Sequence, residues 1–162
     1  MRDKIIEILR QDSRTSVDDM ARMLGVSTEE ISQTASQMEA QGVIVKYSVV
    51  VNEELLDGDD SVTAFIEVKV SPERDKGFES IAKRLQKFPE VQSVYLMSGS
   101  YDLLVVVKGC SLRDVASFVS SKLSPLANVV STATHFLLKK YKENGIILEK
   151  EDSPTSRLKV AF

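Results

Sequence analysis

Apolar residues recur every three to four positions through the first forty residues, and the rhythm then changes. Ile5, Ile8 and Leu9 form one helical stripe. A second opens on Ser16-Val17-Asp18-Asp19, a capping-box-like start, and continues through Val17, Met20, Ala21 and Leu24. Gly25-Val26 leaves room only for a sharp corner. Ser27-Thr28-Glu29-Glu30 repeats the capping signal, and Ile31, Ala35 and Met38 give the third stripe. Gly42 stands where a left-handed C-cap belongs, and Val43 to Val51, VIVKYSVVV, is strongly β-prone. Three short helices, the last two joined at a glycine corner, with a strand behind them, predict a winged helix-turn-helix. A three-helix bundle that binds nothing has the same spacing.

The stretch 52–61, NEELLDGDDS, is acidic and glycine-containing and reads as a linker. Its five carboxylates lack the ligand register of a calcium loop, so a solvated connector is the reading. From Val62 the period becomes two: Val62, Ala64, Ile66, Val68 and Val70 alternate with Thr63, Phe65, Glu67 and Lys69. Phe78, Ile81, Ala82, Leu85 and Phe88 predict a helix of about four turns, closed by Pro89. Strands follow over Val91–Met97 and Tyr101–Lys108, joined by the tight loop Ser98-Gly99-Ser100-Tyr101-Asp102. Leu112, Val115, Ala116, Val119 and Leu123 mark another helix, stopped before Pro125, and Val129 to Lys140 is a last strand. The order β-α-β-β-α-β is that of a ferredoxin-like fold, with both helices on one face of an antiparallel sheet. The other face is bare within one subunit, and Phe65, Leu104, Val106 and Leu137 call for a partner there.

Composition narrows the class. The chain has 162 residues, a hydrophobic share of 43% and a net charge of −3, values of an ordinary globular protein. No apolar run approaches the roughly 20 residues of a membrane span, and no signal-peptide core opens the chain, so the expected location is the cytoplasm. A single cysteine, Cys110, and a single histidine, His135, exclude an internal disulfide framework and a multi-cysteine metal site. Nothing places the two side chains together for thiol–imidazole catalysis, and a lone strand histidine is read as packed or interfacial. No catalytic residue, metal or cofactor is assigned. Residues 1–48 carry 6 basic and 8 acidic side chains, whereas 62–140 carry 11 and 7; the basic surplus lies in the second half.

Residues 3–56 resemble the DNA-binding half of the Lrp/AsnC (feast/famine) transcriptional regulators. The resemblance is carried by Ile5-Ile6-Glu7-Ile8-Leu9, Asp12-Ser13-Arg14, Met20-Ala21-Arg22, Leu24-Gly25-Val26-Ser27, Met38-Glu39-Ala40-Gln41-Gly42-Val43-Ile44 and Tyr47-Ser48-Val49-Val50-Val51. It implies a recognition helix over 28–41 and double-stranded promoter DNA as partner; the exposed side and start of that helix and the cations on neighbouring elements make Arg14, Arg22, Ser27, Thr28, Ser32, Gln33, Ser36, Gln37 and Lys46 the expected interface residues. Gln33 and Gln37 suit adenine edges, and serines suit phosphates or bases. The helix departs from the family by carrying no basic residue between Thr28 and Glu39, so the phosphate term that dominates affinity is missing from it. Weak, salt-sensitive binding per subunit, recovered by multivalency, is expected.

Residues 62–140 are similar to the effector-binding domain of the same regulators, through Val91, Val94, Ser98-Gly99-Ser100-Tyr101-Asp102-Leu103-Leu104 and Val129 with Ser131-Thr132-Ala133-Thr134. The resemblance implies sheet-to-sheet dimers, octamers built from them, and a small effector, usually an amino acid, held between dimers at the Gly-x-Tyr-Asp loop. The residues suit that role: Gly99 admits a ligand to the backbone, and Asp102 offers a counter-charge to an α-ammonium. Tyr101 supplies a wall and a hydroxyl, Ser98 and Ser100 flank the glycine, and Thr134 offers a hydroxyl from the last strand. A turn-closing aspartate bonded to its own backbone is the plainer reading of Asp102.

The expected organisation is therefore 1–51 winged helix-turn-helix, 52–61 linker, 62–140 ferredoxin-like effector and oligomerisation domain, and 141–162 a C-terminal extension. In that extension Tyr141–Gly145 reads as a turn and Leu158, Val160 and Phe162 as a short terminal strand. Two rivals to a DNA-binding regulator remain. One is a ligand-sensing oligomer whose DNA binding has decayed. The other is an enzyme resembling the siroheme decarboxylases, which the single histidine disfavours.

Overall fold

Ser16 and Ser27 start the second and third helices of the computed structural model, which describes residues 1–148 apart from 57, 59–60 and 72–76. Ser16 Oγ accepts from the Asp19 N–H at 3.1 Å and donates to Asp19 Oδ2 at 2.6 Å. Ser27 Oγ accepts from the Glu30 N–H at 3.2 Å, so each cap satisfies an otherwise unpaired amide. The three helices are α1 Arg2–Gln11, α2 Val17–Leu24 and α3 Thr28–Ala40. Gly25 makes the corner between α2 and α3 at φ +68°, a left-handed conformation natural to glycine. At the far end of α3, Gly42 adopts φ +70°, while the N–H groups of Val43 and Gly42 bond the carbonyls of Met38 and Glu39 at 2.8 and 3.0 Å. That is a Schellman termination.

These helices bury Ile5, Met20, Ala21, Ile31 and Met38, with Ile8, Leu9, Leu24 and Ile44 packed around them. Val17, counted in the predicted stripe, is instead exposed. The wing does not form as expected. Residues 45–50 run without any ladder partner among the described residues, because a strand needs a second strand to bond and this compact unit, Met1–Val51, supplies none. Val45 and Val49 are left 88% and 72% exposed.

The second unit, from Asn52 onward, holds the sheet. Its strands are β1 Val62–Val70, β2 Val91–Leu96, β3 Leu103–Gly109 and β4 Val129–Phe136, in spatial order β2-β3-β1-β4 and antiparallel throughout. Helices α4 Glu79–Leu85 and α5 Leu112–Phe118 complete the β-α-β-β-α-β order, and a π-helical turn extends α5 over Val119–Leu123. The period-two pattern of β1 puts Ala64, Ile66, Val68 and Val70 into the core with Leu103, Val105 and Val107 of β3 and Ile81, Leu85, Val115 and Phe118 of the helices. The opposite face shows Phe65, Leu104 and Val106, all half-buried, beside Glu67 and the exposed Lys69. Among the described residues of this unit no layer covers that face.

Several boundaries differ from expectation. Helix α4 is two turns long rather than four; Phe78 and Phe88 flank it and pack on the core from outside its ends. The last strand stops at Phe136, although the Leu137 N–H still bonds the Thr63 carbonyl at 2.9 Å. The turn at 141–145 is the centre of a hairpin, β5 Lys142–Glu143 and β6 Ile146–Ile147. Asn144 and Gly145 between them have φ of 47° and 86°, the signs of a type I′ turn. The linker is not wholly solvated, since Glu53–Leu55 forms a 3₁₀ turn whose Glu53 is tied to the sheet unit. The predicted strand at Leu158, Val160 and Phe162 lies outside the described residues.

Candidate nucleic-acid interface and ligand loop

Helix α3 is held from both ends and by its middle. Ile31 and Met38 are fully buried, so the opposite side of the helix faces away from the small core. Glu29, Ser32, Gln33, Ser36 and Gln37 are all exposed. They do not share one environment. Ser32 and Ser36 line a cavity of about 290 Å³ together with Leu9, Val17, Glu39 and Tyr47, on the flank of α3. Glu29, Gln33 and Gln37 lie further round. The Thr34 hydroxyl donates to the Glu30 carbonyl at 2.7 Å, and Tyr47 Oη donates to Glu39 Oε1 at 2.7 Å. The latter bond, with some burial and the Glu39 charge, raises the Tyr47 pKa.

Cations surround the helix without standing on it. Arg22, at the end of α2, is paired with Asp19, and Arg2 donates to Gln41. Arg14 and Lys46 are exposed, on the α1–α2 loop and the unpaired segment, and are engaged by no side-chain partner among the described residues. Ser27 is committed to its cap and Thr28 is exposed. Of the nine residues expected at a DNA interface, Arg14 and Lys46 are thus the ones whose positive charge is unspent.

In the sheet unit the loop between β2 and β3 runs from Met97 to Asp102. Ser98, Gly99 and Ser100 are exposed, and Tyr101 and Asp102 are half-buried. No atom lies within 4 Å of where a Cβ on Gly99 would stand, so the glycine faces open space. Asp102 has a structural task. Its Oδ2 accepts from the Val70 N–H at 2.8 Å, its own N–H donates to the Val68 carbonyl at 3.1 Å, and its carbonyl accepts from Met97 N–H at 2.8 Å. The carboxylate therefore closes the end of β1, where the β1–β4 register shifts between Lys69 and Val70. The partner is a neighbouring strand and not the aspartate's own turn.

Thr134 is not brought to this loop. It opposes Ile66 on β4, hence shares the helix-covered face, and stands two strands from β3, about 10 Å away. Thr132, which opposes Val68, is level with Leu103 at the start of β3, and the residues of β4 level with the loop itself are Ser131 and Val129, opposite Lys69 and Val70. His135 points to the open face beside Glu67, with Nε2 3.4 Å from Oε1.

A second cavity, of about 160 Å³, lies at the other end of the sheet unit between the 3₁₀ turn, Thr63 and residues 137–140. Glu53 beside it bonds Lys108 Nζ at 2.8 Å and faces Lys140 at 3.6 Å. These bonds hold its carboxyl below the usual range, Lys108 contributing most. No spacing of residue types foretells this cluster, because Glu53 and Lys108 are 55 positions apart. Neither cavity is lined by residues 98–102 or Thr134. Among the described residues no three histidine, cysteine or acidic side chains gather as metal ligands, and no helix is long and apolar enough to cross a membrane.

Comparison with known proteins agrees with both halves. Residues 3–39 match the AsnC-type helix-turn-helix domain, and residues 63–147 the Lrp/AsnC ligand binding domain. The chain is 48% identical over 149 residues to an uncharacterized HTH-type transcriptional regulator, YugG, of Bacillus subtilis, covering 92% of this chain and 90% of that one. It is 31% identical over 143 residues to the proline dehydrogenase transcriptional activator of Rhizobium radiobacter, covering 88% and 90%. The fold is shared with a transcriptional regulator from Neisseria meningitidis solved as an L-Met complex, at TM-score 0.71 and 23% identity over 88% of this chain and 90% of that one. The chain belongs to the Lrp/AsnC family of transcriptional regulators, with an AsnC-type helix-turn-helix DNA-binding domain and an Lrp/AsnC ligand-binding domain.

Proposed function

We propose that this regulator acts in the cytoplasm as a homo-oligomer that binds double-stranded promoter DNA through α3 and changes state when an amino acid binds near residues 98–102. The observation that carries the DNA half is the α2–Gly25–α3 corner, which buries Ile31 and Met38 and turns a polar face of α3 outward. Arg14 and Lys46 supply phosphate contacts from neighbouring elements, and Arg22 adds one only by leaving Asp19. Binding is therefore weak per subunit and salt-sensitive.

Two features support an oligomer. The open sheet face carries Phe65, Leu104 and Val106, and residues 45–50 leave a row of unpaired backbone groups beside exposed valines. A second copy meets both needs, and a dimer that assembles further recovers affinity by multivalency. The effector half rests on the open loop at Gly99. The complex of the Neisseria neighbour makes amino acids the first class to screen. Since Asp102 Oδ2 is held by Val70, the remaining carboxylate oxygen and the exposed amides of 98–100 are the groups offered to a zwitterion, completed by a neighbouring subunit rather than by Thr134 of the same chain.

The second reading, a ligand sensor without DNA binding, is favoured by one observation: α3 carries no cation. Footprinting on the protein's own upstream DNA, at two salt concentrations and with and without amino acids, separates them. Protection at low salt that fades at high salt is expected. No protection at either salt, beside a thermal shift with an amino acid, would establish the second reading.

A further inference from the structure

The exposed polar stripe of α3 says what kind of operator it suits. Four residues along a helix advance about 40° beyond a full turn. Glu29, Gln33 and Gln37 therefore follow one another along the side away from Ile31 and Met38, and all three are exposed. Among the described residues none of the three side chains is engaged in a hydrogen bond or ion pair, whereas Thr34, Glu39 and Gln41 nearby are committed to Glu30, Tyr47 and Arg2. The free stripe presents acceptor oxygens and two carboxamides and no cation. The carboxylate repels phosphates, and the carboxamides bring no positive charge to them. In the major groove they match bases that carry an exocyclic amino group: a carboxylate accepts from N4 of cytosine, and a carboxamide pairs with N6 and N7 of adenine. The same carboxylate is repelled by the O6 and N7 acceptors of guanine and by O4 of thymine.

We propose that Glu29 reads a cytosine and that Gln33 and Gln37 read adenines, so that this regulator recognises half-sites by amino-bearing base edges and not by the guanine contacts an arginine or lysine would make. The rise of four helical residues is about 6 Å, against about 3.4 Å per base along one strand, so successive contacts fall roughly two base steps apart. The apparent defect of the helix, its acidity, is then a specificity element: Glu29 excludes bases, and Arg14 and Lys46 hold the backbone. This inference rests on the DNA-binding reading above and names the sequence class for the same site.

The test is selection from a random duplex library with the full-length protein, run in parallel on wild type, Glu29→Gln, Gln33→Ala and Gln37→Ala. Melting curves matched to wild type confirm that these surface variants are folded. Wild type should enrich a half-site with one cytosine and, at intervals of about two base steps, adenines. Glu29→Gln should convert the cytosine column to adenine. Each alanine variant should flatten one adenine column, with a loss of discrimination of about 5- to 150-fold. An enriched half-site whose columns are unchanged in all three variants, or that carries guanine opposite Glu29, would overturn this assignment while leaving DNA binding intact. No enrichment by wild type at low salt would overturn the DNA-binding reading itself, and this inference with it.

Discussion

The two compact units differ in how completely each satisfies itself. Among its described residues the sheet unit buries thirteen apolar ones in one core, on a ladder of four strands. The helical unit buries five, and its last segment, 45–50, has apolar side chains exposed and no strand to pair with. Domains this small bury too little of their surface to be more than marginally stable. The helix-turn-helix unit is thus the less self-sufficient of the two.

The largest effect expected follows directly. Ile31→Ala and Ile66→Ala each remove a fully buried isoleucine side chain, at about 2–5 kcal/mol. In the helical unit that loss is a large fraction of the total, so Ile31→Ala should melt α1–α3 and abolish DNA binding while the sheet unit stays folded. Ile66→Ala should lower the melting temperature of the sheet unit and leave it folded at 25 °C. Circular dichroism melts with limited proteolysis check this. A single shared transition, shifted equally by both substitutions, would erase the contrast.

Asp102 sharpens the comparison from the scaffold side. Asp102→Ala leaves the Val70 N–H without its acceptor, costing about 1–3 kcal/mol. Asp102→Asn keeps an acceptor oxygen and should cost less. A ligand screen on Asp102→Ala alone would confuse a weakened sheet with a lost site. If Asp102 also binds the ammonium of an effector, Asp102→Asn should retain most of the stability and lose the ligand-induced shift. Equal shifts in wild type and Asp102→Asn would take the charge of Asp102 out of the site.

Much of this architecture was legible in the sequence. Helices α2 and α3 announced themselves by Ser16, Ser27 and the corner at Gly25, since caps and glycine turns are local chemistry. The alternation in β1 fixed its core face because that period cannot serve a helix. What escaped was whatever depends on a distant partner. VIVKYSVVV has every local mark of a strand, yet pairing is not a property of one segment, and nothing in the helical unit bonds it. The bond from Val70 to Asp102 spans 32 residues and that from Lys108 to Glu53 spans 55, and no spacing rule reaches so far. The hairpin at Asn144-Gly145 is local chemistry too, because Asn-Gly between short apolar and charged runs is a recognised turn signal. The candidate ligand site is the least legible: its loop is plain, but the place of Thr134 opposite Ile66, two strands from β3, depends on strand register, which residue types do not reveal.

Gly25 tests the helical unit more gently than Ile31. An alanine there meets no atom within 4 Å, so its only cost is the left-handed backbone at φ +68°, about 1–2 kcal/mol. Gly25→Ala should lower the melting of α1–α3 and weaken DNA binding without touching the sheet unit. Gly25→Asn, which tolerates that conformation better, should recover part of the loss. Equal effects of the two substitutions would show that the corner is relaxed by other means.

The smallest effect divides the two units by pH. Glu53 is held below the ordinary glutamate range, first by its bond to Lys108 and also by the charge of Lys140, against the opposing pull of burial. Glu90, paired with Lys122, is lowered for the same kind of reason. A depressed carboxyl means that the unfolded chain binds its proton at higher pH, so the stabilisation is whole above the ordinary range and is lost as pH falls through the lowered value. Tyr47 runs the other way. Its bond to Glu39 raises the phenol, so its contribution to the helical unit is whole below the ordinary tyrosine range and is lost as pH rises through the raised value. Acid should therefore erode the sheet unit, and less so in Glu53→Gln, while alkali erodes the helical unit, and less so in Tyr47→Phe. All of these groups are partly exposed, so each slope is shallow and flattens further in salt. Melts of the four combinations of variant and pH extreme read it. A Glu53→Gln protein with the acid sensitivity of wild type would place the acid-labile stability elsewhere than in the Glu53 cluster.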